Sequence, residues 1–103
     1  MEKENLKNYK HKIPWAGGEY EGQLKYGVPE GFGKLVMPNS AAYEGEWLKG
    51  KPNGRGTIYY SGGGIYRGAV KNGKRQGKGI YTGPDQQVYK GLWDKNKLVK
   101  SVD

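Results

Sequence analysis

The sequence has no cysteine and a single histidine, and both shortages limit the chemistry that it can perform. Without cysteine there are no disulfides, thiolate metal sites or cysteine nucleophiles. His11 stands alone near the start of the chain, where we expect an exposed side chain and not a metal ligand or a catalytic base. We therefore predict that the protein is not an enzyme, with no catalytic residue, no metal site and no cofactor.

Apolar residues are also scarce, at 34% of the 103 residues, and the mean hydropathy is -0.96. No apolar run is long enough for a transmembrane helix. The segment from Met1 to Lys12 is charged and lacks the apolar stretch of a secretory signal, so we expect an intracellular, cytoplasmic protein. Low hydrophobicity with 19 glycines is also typical of disorder, but the fixed spacing of glycines relative to aromatic residues argues against it.

Four tyrosines recur at intervals of 23 residues and define an internal repeat, at Tyr20, Tyr43, Tyr66 and Tyr89. Each begins the pattern Tyr-x-Gly-x-(Trp or aliphatic), followed by a turn and by Gly-x-Gly. Because Tyr43-Glu44-Gly45-Glu46-Trp47 alternates in character, it predicts a strand with its rings on one face. Turn-forming residues follow, and then a return strand, so each repeat predicts a β-hairpin. The repeat boundaries are 20–42, 43–65, 66–88 and a partial fourth copy at 89–97.

Glycines inside the predicted strands need a reason, because glycine weakens a strand interior. Two interpretations stay open. A residue without Cβ lets a neighbouring Tyr or Trp lie flat on the backbone, or the glycines form turns and bulges. The structural glycines predicted in this way are Gly22, Gly31, Gly33, Gly45, Gly54, Gly56, Gly68, Gly77, Gly79 and Gly91.

The two ends of the chain differ from the repeats. Residues 1–19 form an N-terminal cap or arm, in which Leu6, Tyr9 and Ile13 have helical spacing, while Ile13 and Trp15 also fit an extended strand in register with the repeats. Residues 98–103 form a C-terminal tail whose apolar side chains close the far end of the array, as terminal repeats require.

The motif Tyr-x-Gly-x-Trp-x-x-Gly-x-x-x-Gly-x-Gly on a 23-residue spacing resembles the MORN repeat (membrane occupation and recognition nexus). The resemblance covers residues 20–97. It implies an all-β fold, a single-layer twisted antiparallel β-meander of stacked hairpins, with an aromatic groove on one face. It also implies a non-enzymatic scaffold, since family members include junctophilins, radial-spoke heads of cilia and parasite budding scaffolds. The groove residues expected here are Tyr20, Tyr43, Trp47, Tyr66, Tyr81, Tyr89 and Trp93.

The net charge of +8 is distributed unevenly. In a meander, the turns inside the repeats lie at one long edge of the sheet, and the stretches 48–55, 71–78 and 94–100 are rich in cations. We call this predicted surface the basic rim: Lys49, Lys51, Arg55, Lys71, Lys74, Arg75, Lys78, Lys95, Lys97 and Lys100. It suits an anionic partner, although a lysine-rich edge also keeps a sheet soluble.

Two functional hypotheses follow. In the first, the protein is a scaffold that holds a partner helix or extended segment in the aromatic groove, with the rim pairing with an acidic flank of that partner. Such a scaffold would be a small subunit of a ciliary or cytoskeletal assembly. In the second, it is a peripheral membrane adaptor that binds anionic phospholipids through the rim. Nucleic acid is the least expected partner, because the rings occupy structural repeat positions.

Overall fold

The computed structural model describes residues 11–102, which form nine β-strands and no helix. This part of the chain therefore contains no helix that could cross a membrane. The strands, numbered in chain order, are β1 His11–Trp15, β2 Gly18–Lys25, β3 Val28–Val36, β4 Ala42–Leu48, β5 Lys51–Tyr59, β6 Ile65–Lys71, β7 Lys74–Thr82, β8 Val88–Asp94 and β9 Lys97–Ser101.

All nine strands lie in one antiparallel sheet whose strand order is the chain order. The predicted all-β, single-layer antiparallel meander is thereby confirmed. Since the described residues form a single layer, both faces of the sheet lack a second layer from this part of the chain. We call the face that carries Tyr20, Tyr43 and Tyr66 the aromatic face, and the opposite face the outer face.

The sheet extends beyond the repeats at both ends. β1 pairs with β2 and places Ile13 opposite Tyr20, so the extended interpretation holds for Ile13 and Trp15. The helical alternative also involved Leu6 and Tyr9, which lie outside the described residues. At the other end β9 pairs with β8 and places Leu98 opposite Trp93. The predicted boundaries at 19/20 and 97/98 therefore fall within one continuous sheet.

A row of glycines crosses the sheet at right angles to the strands. Neighbouring strands pair glycine with glycine from β2 to β8, through Gly22, Gly33, Gly45, Gly56, Gly68, Gly79 and Gly91. A Cβ on Gly33, Gly56 or Gly79 would collide with the ring of Tyr20, Tyr43 or Tyr66, respectively. These rings therefore lie directly on the glycine backbone, which gives the sheet a thin core.

The remaining strand glycines have a different role, close to a β-bulge that recurs in each hairpin. The register shifts after Gly22, Gly45 and Gly68. On the return strands Gly54 and Gly77 have φ of 116° and 103°, in the region that side chains rarely adopt. Both interpretations of the glycines thus describe part of the structure, at different positions of the repeat.

The core consists almost entirely of aromatic rings that interlock between repeats. Trp47 meets Tyr20 of the preceding repeat edge-on, with ring centroids 5.0 Å apart, and its Nε1 donates a hydrogen bond to the Gly33 carbonyl at 2.9 Å. Trp93 repeats the arrangement two repeats further on, with a 3.1 Å hydrogen bond to the Gly79 carbonyl. Each tryptophan therefore fastens its own hairpin to the one before it.

Candidate functional site

The predicted groove residues divide into a buried and an accessible set. Five are 6% exposed or less: Tyr20, Tyr43, Trp47, Tyr66 and Trp93. Tyr81 is half-buried and Tyr89 is 42% exposed. The five buried rings pack against other residues of the chain and leave little surface for a partner. A partner on this face would therefore contact mainly other side chains. Partner binding by the groove residues remains a prediction.

The buried tyrosines are hydrogen-bonded as well as packed. The hydroxyl of Tyr20 donates to the Gln23 carbonyl at 2.6 Å, and that of Tyr66 donates to the Ala69 carbonyl at 2.7 Å. Burial raises the pKa of Tyr20 to about 12 and also raises the pKa of Tyr66, because the phenolate would lose its hydration. These hydroxyls are neutral donors that fix the rings, and they are poorly suited to acid–base chemistry near neutral pH.

The accessible part of the aromatic face forms a regular stripe. Leu35, Ile58 and Tyr81 lie opposite the repeat tyrosines in the cross-strand register and are half-buried. Together with Tyr89 they form what we call the apolar stripe. Its members on β3, β5 and β7 are two strands apart, roughly 9.6 Å, since neighbouring strands are separated by about 4.8 Å.

A depression of about 470 Å³ adjoins the N-terminal end of this stripe. Trp15, Leu35, Trp47 and Pro52 contribute its apolar lining. Trp15 reaches over the neighbouring hairpin, and its Nε1 donates to the Gly50 carbonyl at 2.9 Å. This hydrogen bond fixes Trp15 as one wall of the depression, which could receive an apolar side chain of a partner.

Arg75 differs from the rim position predicted for it, because its guanidinium lies on the aromatic face. The Cζ atom is 4.8 Å from the ring centroid of Trp93, and the guanidinium donates to the Tyr60 hydroxyl at 2.9 Å. Arg75 pairs with Val70, which replaces the tryptophan of repeat 2. The guanidinium lies beside the rings of Tyr60, Tyr81 and Trp93, next to the smaller Val70.

The other predicted rim residues also separate by position. Six lysines are exposed at the ends of the hairpins along one edge of the sheet: Lys49, Lys51, Lys71, Lys74, Lys95 and Lys97. Arg55, Lys78 and Lys100 instead lie on the outer face, where they line a cleft with Arg67 and Lys90. We keep the term hairpin lysines for the six at the edge.

Arg67 and Lys90 are not among the predicted site residues, because the predicted basic rim includes only charges in and next to the turns within the repeats. A signal was nevertheless present. The residue after each repeat tyrosine is Glu21, Glu44, Arg67 and Lys90 in turn, so its charge changes sign halfway along the array. Alternation within a strand places all four on the outer face.

Residues 11–102 contain no cluster of three or more His, Asp or Glu side chains that could hold a metal ion. A search of curated proteins found no match to the chain. The family model of the MORN repeat matches three consecutive segments, 20–41, 43–65 and 66–88. MORN repeats form non-catalytic scaffolds and act as interaction modules. With most of its length matched, the chain belongs to the MORN repeat family.

Proposed function

We propose that this protein is an interaction scaffold that holds an amphipathic helix of a partner protein against the apolar stripe. The observation that carries the proposal is the spacing of the stripe, on a face that residues 11–102 leave without a second layer. Leu35, Ile58 and Tyr81 recur every roughly 9.6 Å across the strands. Residues i and i+7 of a helix rise about 10.5 Å and lie on nearly the same side. Apolar residues at i, i+7 and i+14 would therefore meet the three in turn.

Two further features support this arrangement. The depression beside Trp15 would receive an additional side chain at one end of the helix, and Tyr89 would contact it at the other. The hairpin lysines lie along the adjoining edge and would favour a helix with an acidic flank. A ciliary or cytoskeletal assembly remains the setting that we propose for such a partner.

Two adjacent residues of β8 provide a matched test of the aromatic face. Tyr89 belongs to this face, whereas Val88 points to the outer face, and they are 42% and 60% exposed. Proximity labelling with mass spectrometry would compare the wild type with Tyr89→Ala and Val88→Ala. We expect Tyr89→Ala to lose at least one protein that Val88→Ala retains, and that protein should bind the purified scaffold directly. Identical profiles for the two folded variants would contradict docking on the aromatic face.

The second candidate is a membrane adaptor, favoured by the six hairpin lysines along one edge. Juxtaposed cations contribute about 1 kcal/mol each near an anionic membrane surface. Flotation with phosphatidylserine vesicles would distinguish the candidates, using Lys71→Glu with Lys74→Glu as the variant. Salt-sensitive flotation that this variant abolishes would favour the adaptor. Failure to float, together with a direct protein partner, would favour the scaffold.

A further inference from the structure

The outer face carries a cleft that none of the functions above uses. It is about 400 Å³ in volume, and Gly68, Gly79 and Gly91 of the glycine row form its floor. Because these residues have no side chains, the flanking residues stand above the floor as two banks. The cleft runs across the strands from β5 to β9, and we call it the basic trench.

One cation from each of five consecutive strands lines the trench: Arg55, Arg67, Lys78, Lys90 and Lys100. All five are exposed. The one ion pair between described residues joins Lys25 and Glu30, so no carboxylate of residues 11–102 pairs with a trench cation. The positive charge is therefore available to a ligand.

Aliphatic side chains separate the cations within the banks. In the cross-strand register Ile80 lies between Arg67 and Lys90, and Leu92 lies between Lys78 and Lys100. Ile80 and Leu92 are 39% and 37% exposed. The trench thus presents alternating apolar and positive contacts.

The other half of the outer face has a different pattern of charge. There the cross-strand neighbours alternate in sign through Lys12, Glu21, Lys34 and Glu44. Opposite charges across strands stabilise a sheet. Exposed aliphatic side chains occur in both halves, since Val36 is 44% exposed, but within β5 to β9 the trench cations have no oppositely charged cross-strand neighbour. This contrast in charge indicates that the trench is a binding surface for an anionic ligand.

We propose that the basic trench binds an extended acidic peptide segment in which carboxylates alternate with aliphatic side chains. The banks are two residues apart along each strand, about 6.6 Å, which is too narrow for a helix of about 10–12 Å diameter to enter. The trench spans four strand spacings, roughly 19 Å, or about six extended residues. Carboxylates would pair with the cations while apolar side chains contact Ile80 and Leu92.

The lining also distinguishes peptide from nucleic acid. Single-stranded nucleic acids bind on aromatic platforms where the bases stack. Among residues 11–102, the side chains that line the trench are cationic and aliphatic, with no aromatic ring. The trench and the apolar stripe lie on opposite faces of the sheet, so either binding proposal can be refuted without affecting the other.

The test uses a fluorescein-labelled ten-residue peptide of alternating Glu and Val, with binding measured by fluorescence anisotropy at 50 and 300 mM NaCl. We expect binding at low salt that weakens at least tenfold at high salt, because the charges are exposed. Replacing Val by Ser in the peptide should weaken binding at least threefold, because the contacts to Ile80 and Leu92 are lost. No detectable binding of the Glu-Val peptide at 50 mM NaCl would overturn the proposal.

A charge-matched pair of variants locates the site. Arg67→Glu with Lys90→Glu should weaken binding at least tenfold, whereas Lys51→Glu with Lys74→Glu, which changes the net charge equally at the hairpin ends, should change it less than threefold. If the first pair does not fold, as judged by circular dichroism, Arg67→Gln with Lys90→Gln takes its place. Equal losses in both pairs would show attraction by net charge alone and refute the trench.

Competitors test the class of occupant. A ten-nucleotide single strand of dT and phosphatidylserine vesicles should each displace the labelled peptide less effectively than unlabelled peptide. Stronger displacement by the oligonucleotide or by the vesicles, with the same dependence on Arg67 and Lys90, would contradict the peptide assignment. Sedimentation at several protein concentrations would show whether the chain forms dimers. A dimer that dissociates on dilution and does not bind the peptide would assign the trench to a second copy of the chain, and would likewise contradict the peptide assignment.

Discussion

Gly79→Ala is expected to remove much of the stability of this protein, although it adds only one methyl group. Gly79 has no positive φ, so the substitution adds no strain to the backbone torsions. The new Cβ would instead collide with the ring and hydroxyl of Tyr66, which is fully buried. The ring would have to leave its position, because the glycine backbone beneath it cannot move without breaking the strand pairing.

The magnitude follows from two costs. Overpacking of a dense core costs about 1–3 kcal/mol. Displacing the ring also breaks the 2.7 Å bond from the Tyr66 hydroxyl to the Ala69 carbonyl. Leaving buried partners unsatisfied costs about 1–3 kcal/mol more. We therefore expect the free energy of unfolding to fall by about 3 kcal/mol, a large part of the roughly 5–15 kcal/mol typical of a domain.

Urea denaturation with an unchanged m value would measure this loss. The matched control is Gly62→Ala, whose Cβ would meet nothing within 4 Å and whose φ is not positive. We expect it to lie within about 1 kcal/mol of the wild type, on the stabilising side. In a Tyr66→Leu background Gly79→Ala should cost clearly less, since the clashing ring is gone. A loss below about 1 kcal/mol, or strict additivity with Tyr66→Leu, would refute the ring-on-glycine argument.

Three other outcomes are expected from the same core. Trp47→Ala should lower the free energy of unfolding by about 3–5 kcal/mol, measured by urea denaturation, and a stable variant would contradict the role of this ring as a fastener. Arg75→Lys should cost about 1–2 kcal/mol in the same assay, because lysine lacks the planar group that stacks on Trp93, and an unchanged midpoint would argue against stacking. The free energy of unfolding should keep its full value below about pH 10 and decrease between about pH 10 and 12, because burial in the folded state raises the pKa of Tyr20 to about 12. Ultraviolet titration of the phenolates against unfolding by circular dichroism checks this, and ionisation of every tyrosine near pH 10 without loss of stability would contradict it.

Most of the fold was predictable because one local pattern repeats. Alternation within the strand places Tyr43 and Trp47 on one face, and the turn residues that follow predict a hairpin with the return strand. Family resemblance then supplied the single layer. The sheet extends beyond the three full repeats and the partial fourth copy by one strand at each end. These strands, β1 and β9, lack the motif but continue the antiparallel pairing of the repeats.

The candidate sites were harder to predict because exposure depends on neighbouring repeats. Tyr20 and Tyr89 occupy the same place in the motif, yet Tyr20 is fully buried while Tyr89 is 42% exposed. Trp47 covers Tyr20 from the following repeat, and no described residue beyond β9 supplies such a ring for Tyr89. The predicted rim position of Arg75 differs from its observed position for a similar reason, because the direction of its side chain depends on the small Val70 opposite it.

The strand order has a consequence for how this protein folds and how its length can change. Since every strand pairs only with its neighbours along the chain, all sheet contacts close short loops. Such low contact order favours rapid folding for a β-protein, and folding can spread outward from any hairpin. Inserting one further copy of residues 43–65 would add two strands, about 9.6 Å of sheet, without disturbing the register of the others. Length is thus a variable that duplication within the gene can adjust one repeat at a time.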